Sequence, residues 1–221
     1  MNRIIAGSRG GRRIATPPGD RTRPTTDRVR EALFSAIAAW AGTAAAPVEQ
    51  SLAGVAFCDL YAGSGAVGLE AASRGARPVL LVERDPRTAQ LTKDNAKALA
   101  LEVDLVISSV EQVLRRPPPR PFDVVFADPP YEMETLIVSG QLEQLVVNEW
   151  VGPSSLIVVE RSRRTPDLVW PEAAAHRWSR AYGETILSFG SLEPDAGGPN
   201  TDRAERAQRA KQSNTDRAPP C

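Results

Sequence analysis

The chain has 221 residues, 42% of them hydrophobic, and its 27 basic side chains balance 27 acidic ones. That composition suits one soluble domain with enough chain for a real core, and two domains are not expected. No apolar run approaches the roughly 20 residues needed to span a bilayer, and Met1-Asn2-Arg3-Ile4-Ile5 lacks a signal-like apolar stretch, so neither a membrane nor a secreted destination is expected.

Charge is unevenly placed. From Met1 to Phe34 there are eight arginines against Asp20, Asp27 and Glu31, with no lysine. Forked guanidinium groups suit phosphate contacts and stacking on bases, so residues 1–25 read as a basic arm for RNA; the alternative is a solvated arm. Arg3, Arg12, Arg13, Arg23, Thr25, Arg28 and Arg30 are the candidate RNA contacts. Arg23-Pro24-Thr25-Thr26-Asp27 starts a helix with a threonine cap and an acid in its first turn, running to about Trp40. Val29, Leu33, Ile37 and Trp40 recur at helical spacing and should turn inward, leaving Arg28 and Arg30 on other faces.

After a small-residue connection over 41–54, short apolar runs alternate with helical patterns, the rhythm of a parallel sheet covered on both faces. The first predicted strand, Val55–Tyr61, contains Cys58, and with Cys221 as the other cysteine a reducing cytoplasm fits better than a disulfide framework. The strand runs into Asp59-Leu60-Tyr61-Ala62-Gly63-Ser64-Gly65-Ala66-Val67-Gly68, whose glycines match G-x-G-x-x-G. Gly63 permits the tight turn, Gly65 lets a ligand approach the backbone, and Gly68 lets helix pack on strand. A helix is predicted over Gly65–Arg74. Glu83 closes the second strand, Pro78–Val82, twenty positions after Gly63, where an acid can accept from ribose hydroxyls. The motif also fits a dinucleotide enzyme, so an NAD-dependent oxidoreductase is a competing reading. Asp59 at the mouth of the strand tilts the choice, because an acid there suits the cationic amino group of S-adenosylmethionine better than a pyrophosphate. Its bland alternative is a loop-tethering acid.

A helix over Pro86–Leu99, a strand over Val103–Ile107 and a helix over Ser109–Arg115 follow, with Ser109 a candidate contact to an adenine ring. Pro117-Pro118-Pro119-Arg120-Pro121 must be a loop before the fourth strand, Asp123–Ala127. That strand ends in Asp128-Pro129-Pro130-Tyr131. An exocyclic amine on a base is a poor nucleophile, since its lone pair is delocalised into the ring. Two acceptors, the Asp128 carboxylate and the Pro129 carbonyl held by the rigid Pro130, can draw it towards a tetrahedral geometry while Tyr131 stacks on a flipped base. The same tetrapeptide also serves simply to end a strand. A helix over Thr135–Asn148, a strand over Leu156–Val159 and a hairpin of His176–Ala181 and Thr185–Phe189 complete the domain, 26–190. His176, the only histidine, reads as a surface strand residue, which excludes a Ser-His triad and histidine-based zinc chemistry. Residues 191–221 are almost free of apolar side chains and are expected to be disordered.

Arg23-Pro24-Thr25-Thr26-Asp27-Arg28-Val29-Arg30-Glu31-Ala32-Leu33-Phe34, the motif from Asp59 to Arg74 and the Arg3-Ile4-Ile5-Ala6-Gly7 opening together resemble the bacterial 16S rRNA guanine-N2 methyltransferases. The resemblance runs from Arg3 to about Phe189. It implies an α/β, Rossmann-like class I methyltransferase with a seven-stranded, mostly parallel sheet and an antiparallel last strand. It also implies S-adenosylmethionine as donor, S-adenosylhomocysteine as product, no metal, and transfer to the N2 amine of one guanine in 16S rRNA, in a small-subunit particle. By position, the cofactor site falls on Asp59, Gly63, Gly65 and Glu83, with Tyr61, Ser64, Arg84 and Ser109 beside them, and the catalytic loop on Asp128, Pro129, Pro130 and Tyr131. A monomer in the cytoplasm is expected. The competing readings are an adenine-N6 methyltransferase, a protein glutamine methyltransferase and a non-catalytic RNA-binding assembly module.

Overall fold

The computed structural model describes residues 2–17 and 26–192. Its centre is a seven-stranded sheet in the order β5-β4-β3-β6-β7-β9-β8, formed by β3 (Phe57–Asp59), β4 (Val79–Glu83), β5 (Asp104–Ile107), β6 (Phe122–Ala127), β7 (Val151–Ser162), β8 (His176–Tyr182) and β9 (Thr185–Ser191). β3 to β7 run parallel, and β9 is antiparallel to both β7 and β8. The predicted hairpin is therefore present, but its second arm is the one that joins the sheet, leaving the more polar His176–Tyr182 at the edge. Leu187 and Phe189 are fully buried on β9, so the apolar arm takes the inner position.

Helices α1 (Asp27–Trp40), α2 (Ala66–Ser73), α3 (Pro86–Leu99), α4 (Val110–Val113) and α5 (Thr135–Val147) lie between and around the strands. Successive strand residues feed two separate apolar layers: Phe57, Val124, Phe126, Leu156 and Val158 on one face, Cys58, Val125, Ala127, Ile157 and Val159 on the other. Burial on both faces explains why these strands read as continuous apolar runs rather than alternating ones.

β7 begins five residues before the predicted Leu156. Val151-Gly152-Pro153-Ser154-Ser155 has the chemistry of a turn, yet a register shift between Phe122 and Val124 absorbs it as a bulge. Ser155 Oγ seals that bulge, accepting from the Gly152 N–H at 2.9 Å and donating to the Phe122 carbonyl at 2.7 Å. α4 is shorter than the predicted Ser109–Arg115, ending before the proline run.

The amino-terminal arm is docked. β1 (Asn2–Arg3) and β2 (Arg13–Ile14) pair antiparallel, and the carboxylate of Glu70 on α2, fully buried, accepts from the Ile5 and Ala6 N–H groups at 2.6 and 3.0 Å and from Arg74 Nε at 2.9 Å. Ser73 Oγ donates to the Ala6 carbonyl and accepts from the Arg9 N–H, at 2.8 and 2.9 Å. Gly7, at φ +81°, lets the arm approach so closely that a Cβ there would stand 2.2 Å from the Ser73 carbonyl oxygen.

Thr26 caps α1 as predicted, its hydroxyl accepting from the Val29 N–H at 3.3 Å. Val29, Leu33 and Ile37 are buried, and Arg28 is exposed. The outward placement expected for Arg30 is corrected, because its side chain has no exposed surface. Its Nη2 donates to Asp27 Oδ1 at 2.7 Å and to the Arg3 carbonyl at 2.9 Å, so Arg30 joins the arm to α1 from inside. It presents no guanidinium to a phosphate. Arg12 and Arg13 are exposed; Arg3 is exposed and pairs with Asp27 at 3.0 Å. Arg23 and Thr25, and the tail predicted to be disordered from its third residue onward, lie outside the described residues.

Candidate functional site

The strand order reverses direction between β3 and β6, and the loops leaving these two strands carry the glycine motif and Asp128. Crevices at such a switch point are where open α/β sheets bind ligands. Asp59 pairs in register with Leu81 on one side and Phe126 on the other, and Glu83 ends the neighbouring β4. Three carboxylates, those of Asp59, Glu83 and Asp128, therefore collect at one end of the sheet.

The glycine loop is tied down at nearly every residue. Glu83 accepts from the Gly63 N–H at 3.0 Å and the Asp85 N–H at 2.8 Å, one bond on each oxygen. Thr92 Oγ1 donates to the Gly63 carbonyl, and Asn95 Nδ2 donates to the Ser64 carbonyl at 2.9 Å. Gly65 at φ +82° starts α2. Gly68 has the close-packing role expected of it, since an added Cβ would lie 2.0 Å from Leu81 Cδ2. The open approach expected at Gly65 is at Gly63 instead: Gly63, at φ +53°, has open space where a Cβ would stand, whereas at Gly65 an added Cβ would lie 2.9 Å from Leu69 Cδ1 and Thr92 Cγ2. Arg84 is exposed and Ser64 partly so.

Asp59 is enclosed. Its Oδ2 accepts from the Gly68 N–H at 3.0 Å, which is the tethering role, while Oδ1 is buried without a partner. Burial pushes its pKa up to about 7, against the pull of the Gly68 and Tyr61 N–H groups and with a further upward push from Glu83. An unpartnered buried carboxylate oxygen is costly unless a donor completes it. Ser109 sits beyond β5, where its hydroxyl caps α4 by accepting from the Gln112 N–H at 3.3 Å.

The Asp128 loop contrasts with this. Asp128 is half-buried, and its carboxylate has no hydrogen bond or ion pair among the described residues. Burial raises its pKa well above the ordinary carboxylate range, Glu160 and Asp59 add to the rise, and Arg161 opposes it. Pro129 is buried; Pro130 is exposed, and its carbonyl accepts from the Met133 N–H at 2.9 Å. Tyr131 leaves 66% of its surface free. Tyr61 joins the two loops: its hydroxyl donates to Gln141 Oε1 at 2.6 Å and lies 3.4 Å from Met133 Sδ. A cleft of about 460 Å³ opens beside Tyr131 and Met133 and is also lined by Arg161 and Arg164. A larger groove of about 820 Å³, lined by Leu80, Phe122 and Trp150, lies elsewhere, and the lining of neither cavity includes Asp128 or the glycines.

Two site residues escaped the sequence reading. Glu160 and Arg161 end the apolar run of β7 and are buried, with 7% and 8% of their surface exposed. The only signal was two opposite charges closing a strand that is otherwise apolar.

The family model described as Conserved hypothetical protein 95 matches residues 2–191. Ribosomal RNA small subunit methyltransferase D of Haemophilus influenzae is 34% identical over 77% of this chain and 83% of its own length. The chain belongs to that methyltransferase family. The protein of the same name from Escherichia coli K12 is 35% identical over 72% of this chain and 73% of its own. Among solved structures, the putative methyltransferase yhhF from Escherichia coli superposes with TM-score 0.71 at 30% identity, covering 86% of this chain and 97% of the other. A Thermus thermophilus 16S rRNA N2 G1207 methyltransferase, solved with AdoMet and guanosine, shares the fold at TM-score 0.60 and 19% identity, over 80% of this chain and 46% of its own. The fold is thus the Rossmann-like class I methyltransferase one. No helix among the described residues is long and apolar enough to cross a membrane.

Proposed function

We propose that this family member transfers a methyl group from S-adenosylmethionine to the exocyclic N2 amine of a guanine in 16S rRNA of the small ribosomal subunit. The observation that carries the reading is the Asp128 carboxylate, without a hydrogen bond or ion pair among the described residues, at the strand-order reversal and beside a prebuilt glycine loop. The names of the 34% and 35% identical relatives support small-subunit ribosomal RNA as the substrate class.

The residues of the glycine loop fit the donor. Each Glu83 oxygen has one lone-pair site left after its backbone bond, enough for two ribose hydroxyls. Asp59 Oδ1 is an acceptor without a partner, suited to an ammonium. Tyr61, Ser64 and Arg84 flank these groups, and Ser109 stands on the adenine side. When bound, S-adenosylmethionine supplies a methyl on a positively charged sulfur. The chain does the rest by placement. Asp128 and the Pro129 carbonyl accept from the amine, localise its lone pair and aim it in line at the methyl, while Tyr131 stacks on the base. Holding reacting groups in such a near-attack geometry is worth about 7–11 kcal/mol. Asp128 is also next to the proton that must leave after methylation.

Arg3, Arg12, Arg13 and Arg28, with Arg23 and Thr25, give the arm its affinity for phosphate. The shape of folded RNA in a small-subunit particle selects the site. We place the protein in the cytoplasm as a monomer.

The test is to incubate the protein with labelled S-adenosylmethionine and small subunits from cells lacking it. The expected product is N2-methylguanosine at one position, read by mass spectrometry of the nucleosides. Methyladenosine in the digest, or no incorporation at all, overturns the proposal.

A further inference from the structure

We infer that Arg161 is a positioning residue, which from β7 fastens the Asp128–Met133 loop and keeps Asp128 in the form that accepts from the target amine. The inference rests on the guanine-N2 reading above and concerns the same cleft.

Three observations carry it. First, Arg161 is anchored to the loop itself, with Nη2 donating to the Met133 carbonyl at 2.7 Å. Met133 in turn donates its N–H to Pro130, so one guanidinium holds the far end of the turn that Asp128 begins. Second, Arg161 lies inside the site, with 8% of its surface exposed, and its Nε and Nη1 are buried without partners. Unpartnered N–H groups of a buried cation are costly, and a cation is retained in such a place when an anion nearby needs it. Third, the charges around Asp128 are otherwise all of its own sign. β6 and β7 pair at Ala127 and Val159, which sets Asp128 opposite Glu160, while Asp59 approaches from β3. Arg161 is the cation that opposes them, and it faces Tyr61 as well as Asp128.

The chemical consequence follows from what an acceptor requires. A protonated carboxyl donates at one oxygen, is a weaker acceptor at the other and cannot take up the proton that leaves the amine. Burial, Glu160 and Asp59 all favour that protonated form, and Arg161 is the group that opposes them.

The experiment compares the wild type, R161Q and R161K on deficient small subunits, measuring kcat and KM across pH 5.5–9. Turnover by the wild type is the control, and its absence sinks the guanine reading rather than this one. Given that turnover, R161Q should move the acid limb of kcat upward by about one pH unit, with a loss of up to about tenfold on the acid side that narrows above pH 8.5. KM for S-adenosylmethionine should stay within about twofold. R161K, which keeps the charge but lacks the fork, should return the limb towards that of the wild type. A loss in R161Q that is equal at every pH, or an R161K limb no closer to wild type than that of R161Q, would overturn the role. Should R161Q not fold, R161K alone decides: its limb stays within half a pH unit of wild type or the role is wrong.

Discussion

The two loops that meet at the strand-order reversal are built in opposite ways. In the glycine loop the hydrogen-bonding groups are committed to backbone: Glu83 holds two N–H groups, Thr92 and Asn95 hold two carbonyls, and Asp59 holds Gly68. In the Asp128 loop the key carboxylate has no hydrogen bond or ion pair among the described residues, and Tyr131 is exposed. On the proposed reading, a loop that holds a small, constant ligand can be finished in advance, whereas one that receives a base flipped out of folded RNA must keep its acceptors free. That reading gives catalysis to the unfinished loop and cofactor binding to the finished one.

Substitutions should separate the two roles. The largest effect is expected at Asp128: Asp128→Ala should lower kcat by about a thousandfold, on the order of 4 kcal/mol, while the melting temperature hardly moves. Asp128→Asn, which keeps an acceptor oxygen, should retain activity within about tenfold to a hundredfold of wild type. Equal, complete loss in both variants would mean that proton uptake by Asp128 is indispensable.

Next in size is Arg30→Ala, which leaves Asp27 and the Arg3 carbonyl without their buried donor and should cost about 3 kcal/mol of folding stability. Arg28→Ala, two positions away on the same helix and exposed, should cost less than about 0.5 kcal/mol in the same denaturant titration.

Asp59 sharpens the comparison through pH. Its folded pKa of about 7 lies above the value in the unfolded chain, so the native state holds the proton more tightly. Stability on this account is full below about pH 4 and declines as pH rises towards 7. Asp59→Asn removes the decline and should be on the order of 2 kcal/mol more stable than wild type at pH 8, yet bind S-adenosylmethionine more weakly. Lower stability at pH 8 would show that Asp59 serves the fold more than the ligand.

The smallest change per residue is expected in the arm. Arg12→Gln, Arg13→Gln and Arg23→Gln together should weaken RNA binding and flatten its salt dependence by about one phosphate per residue. Cofactor affinity should be unchanged by calorimetry. A matching loss of cofactor binding would show that the arm and the glycine loop act as one unit, as their shared partner Asn95 allows, since it bonds both Ala15 and Ser64.

Local chemistry was legible wherever a residue type has one dominant use. Gly68 packs against Leu81, Thr26 caps its helix, and the proline run ends α4. Arg30 was misjudged because helical spacing sorts apolar residues from polar ones and assumes that arginine faces water. Here the docked arm covers that face, and nothing local announces it. Arg161 was missed for a related reason: a charge at a strand end is ordinarily solvated, and only the packing of Asp128, Tyr61 and Met133 around it makes it part of the site.

The order of apolar runs and helical patterns by itself determined the parallel sheet, and the spacing of glycines and acids marked the loops that meet at the strand-order reversal, because period and turn chemistry are properties of short segments. The tertiary structure decided which charges are buried together. Strand order and register bring Asp59, Asp128, Glu160 and Arg161 to one end of the sheet from positions up to 102 residues apart in the chain. Electrostatic influence depends on that distance in space and on the absence of water, neither of which a linear sequence records.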